Sequence, residues 1–569
     1  MVAEGGGTVS LHQSGVDDGL FRRAMAWLDA PWVRQLETAM TAKTGRPRVH
    51  SVSAILGLLA IAALETPGEL FLSRAAAVTK RLSLAQMHRL DIVAPGIVTK
   101  RQVSRVLADV ELAIAGRIDK ATGEVLVTPR LDIDFADLLT AIVSSVIPAS
   151  IPGSVAQSLD STDLEAHAKR QSRAKHADVP KDSLPPGDYL ASESTSIRAG
   201  FPKRGADGRW QHSLDPDARE GYRAGKNLGR KTTVLGWDMH LCVDTAVEGG
   251  DYRPPLIRGM SIAPAGDCKG AAGVAAIDAV SRSGIKIEQI LADRGYSYLL
   301  AEKWAYKLSD REIEQVIDLH TNQRGIGPGP IPGTIYLDGG LFAASLPNRL
   351  RNLRVPTFAM TSEEKAALAR EYDERAFYAY FPMGAKPNFN SRTWRYRGPA
   401  KRGVLRCPNV PSSLRLRVDL NRTTSCEPGT ACGCGGTVTL GPDDKFQTRQ
   451  RHLWGTTKWV ASYGRRNAVE SANALIHNHY ARLIRGSIRV RGTVKNGFLA
   501  AIIISTVNIA LLGAVYDFDI GSPPPVGTVP VARPPVTHAK HRKPRVFRRP
   551  KPKPRTTTQR RRAPRRPPA

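Results

Sequence analysis

The chain predicts a mixed α/β core that is interrupted by an inserted α+β subdomain, preceded by a helical N-terminal domain and followed by a disordered basic tail. Three observations carry that expectation. Short apolar runs bounded by turn residues read as strands over Val155–Leu159, Val234–Val243, Pro255–Ile262 and Ile287–Leu291, with an Ala-rich helix, Ala271–Ser281, before the last. Ahead of them, from Leu20 to about Ile142, apolar residues recur at helical spacing. Behind them, 176 residues separate Asp293 from Glu470. That is far more than one crossover connection needs, so a subdomain must be inserted there.

In chain order, residues 1–19 are Gly-rich and polar, and are expected to be disordered. Residues 20–150 form the helical domain. Ala54–Leu64 reads as a buried helix too short to span a bilayer, and Leu84–Leu90 and Lys100–Ile114 carry apolar residues at three-and-four spacing. Scattered Arg and Lys suit a DNA-binding role, but no helix-turn-helix pattern stands out, so a structural bundle accounts for the segment equally well. Residues 151–300 are the first part of the core and 446–520 the second. The insertion, 301–445, holds Gly/Pro punctuation at Gly325–Gly333, strand-like Thr334–Leu337, a charged helix at Glu363–Phe377 and an alternating stretch at Leu414–Leu420. Phe498–Val515 is 18 residues of mostly apolar character, at the lower edge of a membrane span. Ser505, Thr506 and Asn508 within it favour a buried helix closing the core, and no membrane association.

The formal charge is +30, which points to a polyanionic partner, nucleic acid first and an anionic membrane second. Residues 521–569 hold 15 Lys and Arg and no acid, so half of the excess sits in a Pro-rich tail that cannot bury a core. The N-terminal residues show neither a charged n-region nor an apolar h-region, so no signal peptide is expected. Six cysteines do not make a disulfide framework, and a reducing cytoplasm is the expected compartment. Four of them, Cys407, Cys426, Cys432 and Cys434, fall within 28 residues. Four thiolates are the complement of a closed tetrahedral zinc site. The spacing contains no Cys-x-x-Cys, so a structural zinc and dispersed free thiols both remain open.

Three acids stand in settings that suit metal chemistry. Asp160 lies in Ser158-Leu-Asp160-Ser-Thr-Asp163, read as a strand ending on a carboxylate before a turn. Asp293 closes Ile290-Leu-Ala-Asp293 and is followed by Arg-Gly-Tyr. Glu470 lies in Tyr463-Gly-Arg-Arg466-Asn-Ala-Val-Glu470, with His477 seven residues on. At that spacing Arg466, Glu470 and His477 share one helix face, and Tyr463 joins them if the helix runs back past Gly464. Carboxylates at strand ends, with a third on a helix, can gather two divalent ions beside a phosphodiester. Each acid alone reads as readily as a cap or turn residue; together they point to a site. Asp163 is the alternative first ligand.

These segments resemble those of DDE transposases of bacterial insertion sequences, the RNase H-like group with a tyrosine–arginine–glutamate–lysine signature. Tyr463, Arg466 and Glu470 fit that signature in register, and His477 stands where the Lys would be. Asp160-Ser161-Thr162 and Ala292-Asp293-Arg294-Gly295-Tyr296 match the stretches around the first two acids, and the likeness extends through Asp215-Pro-Asp217-Ala-Arg219, covering about residues 20–515. The resemblance implies an RNase H-like core with a shielding insertion. It implies metal-dependent cleavage at element ends and strand transfer, with Asp160, Asp293 and Glu470 holding two Mg²⁺ (or Mn²⁺) ions. Tyr463, Arg466 and His477 would contact the DNA backbone. Its partners would be double-stranded DNA, as terminal inverted repeats and target, and further copies of the chain on that DNA. A nuclease without strand joining, or a domesticated non-catalytic DNA-binding protein, are the competing readings.

Overall fold

The computed structural model describes residues 15–41, 48–93, 96–119, 122, 124–170, 203–204, 210–211, 213–223, 232–357, 359–522 and 532. The expectations for residues 1–14 and for nearly all of the tail lie outside the described residues. The first boundary moves: the Asp17 side chain accepts from Leu20 N and caps helix α1, Asp18–Leu28, so residues 18 and 19 are helical.

One mixed sheet organises the core. Its strands are β1 (Ala156–Glu165), β2 (Arg219–Arg223), β3 (Thr232–Asp244), β4 (Ile257–Pro264), β5 (Gln289–Ala292) and β6 (Glu314–Ile317). They run in the order β6-β5-β1-β3-β2, with β4 also on β3. β1, β3 and β4 are antiparallel neighbours, whereas β5 is parallel to β1, and β6 to β5. Parallel pairing needs a long crossover, and helix α8 (Lys269–Arg282) supplies it between β4 and β5. β3 is long enough to hold two neighbours on one edge: Gly236 pairs with Glu165 of β1 and Arg219 of β2, and Trp237 with Leu164 of β1 and Pro264 of β4.

Alternation along β3 divides the interior. Trp237, Met239, Leu241 and Val243 join one apolar cluster, while Cys242 faces another with Leu159, Ile277, Val280 and Ile290. The first cluster also takes Leu36, Leu58 and Leu139 from helices α2 (Pro31–Met40), α3 (Val52–Glu65) and α7 (Phe135–Ser144). The helical region therefore shares its core with the sheet. Helices α4 (Leu72–Val78), α5 (Leu84–Arg89) and α6 (Lys100–Ala115) complete it, the last two opened by the capping boxes Ser83–Gln86 and Thr99–Gln102.

The long apolar stretch forms α12, Thr493–Tyr516, long and apolar enough to cross a membrane, with 78% of its most apolar window buried inside the protein. Its polar atoms are used internally. Ser505 Oγ donates to Ile142 O, and Asn508 bonds both Val143 O and the backbone N and O of Ile257 at the start of β4. Its setting is that of a core helix, as its Ser, Thr and Asn residues suggested.

The insertion starts later than residue 301, because β6 belongs to the main sheet. It carries the antiparallel strands Ile326–Pro328, Thr334–Leu337 and Gly340–Ala343, helix α9 (Ser362–Ala376), and a second sheet of Phe381–Pro382, Trp394–Arg397 and Thr437–Leu440. Leu414–Leu420 is not a strand. Val418 and Leu420 are exposed, so the alternation buries no face and the chain turns through a 3-10 segment, Pro411–Arg415, instead. Helices α10 (Thr457–Gly464) and α11 (Asn467–Ala474) return the chain to the sheet.

Candidate carboxylate site and cysteine cluster

Sheet register brings two of the acids together. β1 and β5 pair from Ala156 with Gln289 to Leu159 with Ala292. Asp160 and Asp293 directly follow the last paired residues of the two strands, near enough for Asp293 to add to the burial-driven rise of the Asp160 pKa. Asp160 is not at a strand end as its polar surroundings suggested. β3 keeps pairing with β1 as far as Glu165, which holds the polar run Asp160–Asp163 extended. Asp293 does end its strand; it caps the short helix Arg294–Ser297 by accepting from Gly295 N at 2.9 Å. Asp163, three residues from Asp160, falls on the opposite face of β1, which removes it from the site.

Arg466 joins the third acid to this pair. Its Nη2 donates to Asp160 Oδ2 at 2.7 Å and its Nη1 to Glu470 Oε1 at 2.6 Å. The guanidinium is 11% exposed and the Glu470 side chain 57%, so Arg466 lies at the base of the cleft and Glu470 at its rim. The expected single helix is broken here. α10 ends at Gly464, Arg466 N bonds Tyr463 O in a tight turn, and Arg466 then caps α11. Ser158 Oγ and Thr245 Oγ1 donate to the carbonyls of Arg466 and Arg465 and fasten that turn onto the sheet. Val469, Ala472 and Ile476 bury the inner face, leaving Glu470 outward.

His477 sits past α11 in a π-helical turn, Leu475–His479. Its Nδ1 lies 2.8 Å from Leu483 O and must donate there, so in the neutral ring Nε2 accepts from Thr162 Oγ1 at 2.7 Å. Thr162 shares the Asp160 face of β1. His477 thus ties the acid-bearing helix to the acid-bearing strand. Tyr463 stacks on Trp459 at 4.9 Å and packs over Ala156, Leu291 and Val316.

The electrostatics follow from this crowding. Burial raises the Asp160 pKa above the usual carboxylate value; Arg466 and Lys269 oppose the rise and Asp293 adds to it. Burial opposes charge on Arg466, but Asp160, Tyr463, Asp293 and Glu470 outweigh it and raise its pKa. Burial likewise raises the Tyr463 phenol. Arg466 Nε is buried without an acceptor, a donor left over in the middle of the site.

Other residues had no role assigned from sequence. Lys269, at the start of α8, places Nζ 3.3 Å from Asp293 Oδ1 and 4.3 Å over the Tyr296 ring. A Cβ at Gly295 would come 2.5 Å from that Nζ and 3.0 Å from Asp293 Oδ1, so a larger residue there would push the lysine tip away from the aspartate. Tyr296 is fully buried and its hydroxyl bonds His240 Nδ1 at 2.7 Å, flooring both aspartates. Asp318 follows β6, whose register with β5 sets it beside Asp293, but it is bound by Trp454 Nε1 at 2.8 Å and faces Arg294 at 3.6 Å. Tyr296 stood inside the Asp-Arg-Gly-Tyr motif; nothing in the sequence marked Lys269 or Asp318.

The four cysteines of the insertion come together although their spacing is irregular. Cys407 and Cys432 Sγ are 3.6 Å apart, Cys426 and Cys434 Sγ 3.8 Å, and all four lie within 4.8 Å of one another. A tetrahedron with Zn–S bonds of about 2.3 Å has edges of about 3.8 Å. All four are free thiols, so this cluster could hold a metal ion such as zinc. Among the described residues it is the one such group of three or more ligand atoms; the three carboxylates are not drawn in so closely. Compared with known proteins, the chain matches no family model, no curated protein and no solved structure.

Proposed function

We propose that the protein is a DDE-type DNA transposase that cuts DNA at the ends of its element and joins the freed 3′-OH to target DNA. The observation that carries this reading is the position of Asp160 and Asp293 directly after the paired residues of neighbouring strands, with Glu470 brought to Asp160 through Arg466. The strand order supports it. An antiparallel set of three strands, then strands parallel to the first on its other edge, is the arrangement an RNase H-like core requires.

The donor set fits a hard divalent cation such as Mg²⁺ or Mn²⁺: three anionic oxygen ligands on separate elements. Asp160, Asp293 and Glu470 would hold two such ions, which supply activation of the attacking oxygen and offset charge on the leaving one. Arg466 neutralises Asp160 and Glu470, and its planar fork matches a phosphate equally well. Lys269 does the same for Asp293. Tyr463 and His477 act chiefly by positioning, since one is stacked and the other is bonded through both ring nitrogens. The partners of this reading are double-stranded DNA, as terminal repeats and as target, and further copies of the chain, in a reducing cytoplasm.

Asp160→Asn, Asp293→Asn and Glu470→Gln each replace an anionic ligand with a neutral amide of the same shape. All three should abolish end cleavage and strand transfer with Mg²⁺, while binding to DNA ends survives through phosphate contacts elsewhere. Wild-type cleavage without joined product would favour the nuclease reading. The transposase reading fails if folded, DNA-bound Glu470→Gln cleaves at near wild-type rate.

A further inference from the structure

Beyond α11 the chain enters a basic groove that the carboxylate chemistry does not use. Its first wall is the loop from Tyr480 to Arg489, which carries Arg482, Arg485 and Arg489 and no acid, with Arg491 two residues beyond it. All four arginines are exposed, and none forms an ion pair among the described residues. The second wall is Thr66–Phe71, between α3 and α4, and the two enclose about 530 Å³. This second wall has its own acids, but Glu69 is bound by Arg74, and Glu65, at the end of α3, by Arg81. They do not cancel the loop's charge.

The walls are fixed to each other. Leu70 forms a parallel bridge with Ile488, and a Cβ at Gly68 would approach Ala481 O to 2.8 Å. The Arg489 guanidinium lies 3.8 Å over the Phe71 ring, and its Nε donates to Gly486 O within the loop. The groove is also fastened to the carboxylate site, because His477 bonds Leu483 O within the loop and Thr162 on β1. Burial, and then Arg489, Arg485 and Arg491, hold the nearby His167 imidazole below its usual pKa, a sign of the positive field there.

We propose that this groove seats the phosphate backbone of duplex DNA next to the position where the carboxylates act. The inference rests on the transposase reading and names the track by which the substrate reaches its site. A concave, walled row of unpaired guanidinium groups leading to a buried site suits a strand backbone. A membrane headgroup layer would need a broad flat surface.

The test uses the full chain and a random-sequence DNA duplex, with binding followed by fluorescence anisotropy between 50 and 200 mM salt. The variant Arg482→Gln, Arg485→Gln, Arg491→Gln should make the slope of log K against log salt shallower by about 2–3, at roughly 0.9 per lost phosphate contact. Its dissociation constant at low salt should rise at least about tenfold. The corresponding triple Arg→Lys variant should keep the slope. Ile484→Glu, one exposed change on the same rim, should weaken binding in the same direction and covers the case in which the triple variant does not fold. An unchanged slope in a protein that still binds and cuts DNA overturns the groove and leaves the transposase reading standing. A wild-type chain that binds no DNA overturns both. Tighter binding to phosphatidylserine vesicles or to single-stranded RNA than to the duplex overturns the groove's assignment.

Discussion

Removing metal from the cysteine cluster is the perturbation whose size follows most directly from the structure. The two short Sγ–Sγ distances, 3.6 and 3.8 Å, match the edge of a ZnS₄ tetrahedron, about 3.8 Å, and the remaining pairs, all within 4.8 Å, need close by no more than about 1 Å. The ligands come from three separate stretches of the insertion, so zinc would cross-link what the chain otherwise holds by short strands. Cys407 and Cys434 are fully buried, and burial raises the pKa of each thiol, whereas at Cys432 burial is outweighed by hydrogen bonds from Asn409 and its neighbours, which bring the thiol down to about 7. At free zinc a thousand times the dissociation constant, binding adds about 4 kcal/mol. For a unit of the insertion's size that is roughly 10–20 °C of Tm. The assay is metal content by mass spectrometry, followed by thermal unfolding with and without a zinc chelator. One zinc per chain is expected, and Cys434→Ser should lose both the zinc and the chelator response. Cobalt substituted for zinc should show the intense visible bands of a tetrahedral thiolate site. A reduced protein that carries no zinc, or a Tm indifferent to chelator and to Cys434→Ser, refutes the assignment.

Deleting residues 521–569 removes 15 positive charges and no acid, so duplex binding should weaken equally for all sequences and its salt slope should flatten; an unchanged slope places the tail away from DNA. Asp160 provides a pH test in metal-free buffer. Its folded pKa is raised by burial above the unfolded value, so its contribution is fully favourable below the unfolded pKa of about 3.9 and is lost as pH rises through the folded pKa. The stability of Asp160→Asn relative to wild type should therefore rise as the pH is raised from about 4 to 7.5, whatever the cost of leaving Arg466 without that partner. A difference in unfolding temperature that is the same at both pH values would contradict it.

The strands and helices that build the core were legible because they bury apolar residues with clear periods: α3, α6, α8, β3 and β4 fall within a few residues of their expected spans. What escaped was decided by pairing partners distant in sequence. Asp160–Asp163 reads as a turn because its residues are polar, and only the long β3 opposite keeps it in a strand. β6 is four residues of ordinary composition that become a strand through parallel pairing with β5. Asp293 was legible as a strand-end residue and Glu470 as a helix residue, but the register of Asp160 within its strand was not. Nor was the use of Arg466 as a bridge, since a guanidinium's partners depend on which carboxylates the sheet delivers to it. The cysteine cluster was obscured by irregular spacing, because its ligands lie on loops that fold back rather than on a two-turn knuckle.

The site's charge balance explains why those cations sit where they do. Two carboxylates on neighbouring strands repel, and for that reason Asp293 adds to the burial-driven rise of the Asp160 pKa. Asp160 is nearly buried, so water relieves little of that cost. The fold answers with one cation per aspartate: Arg466 on Asp160, shared with Glu470, and Lys269 on Asp293. Three negative charges therefore face two positive ones. In the proposed reaction Asp160, Asp293 and Glu470 would hold a divalent ion in place of these side chains, and the donors of Arg466 so released would be open to a phosphate oxygen. Metal and DNA would then bind with mutual support, whereas a lysine or arginine removed from the site would leave the acids repelling one another in the absence of substrate.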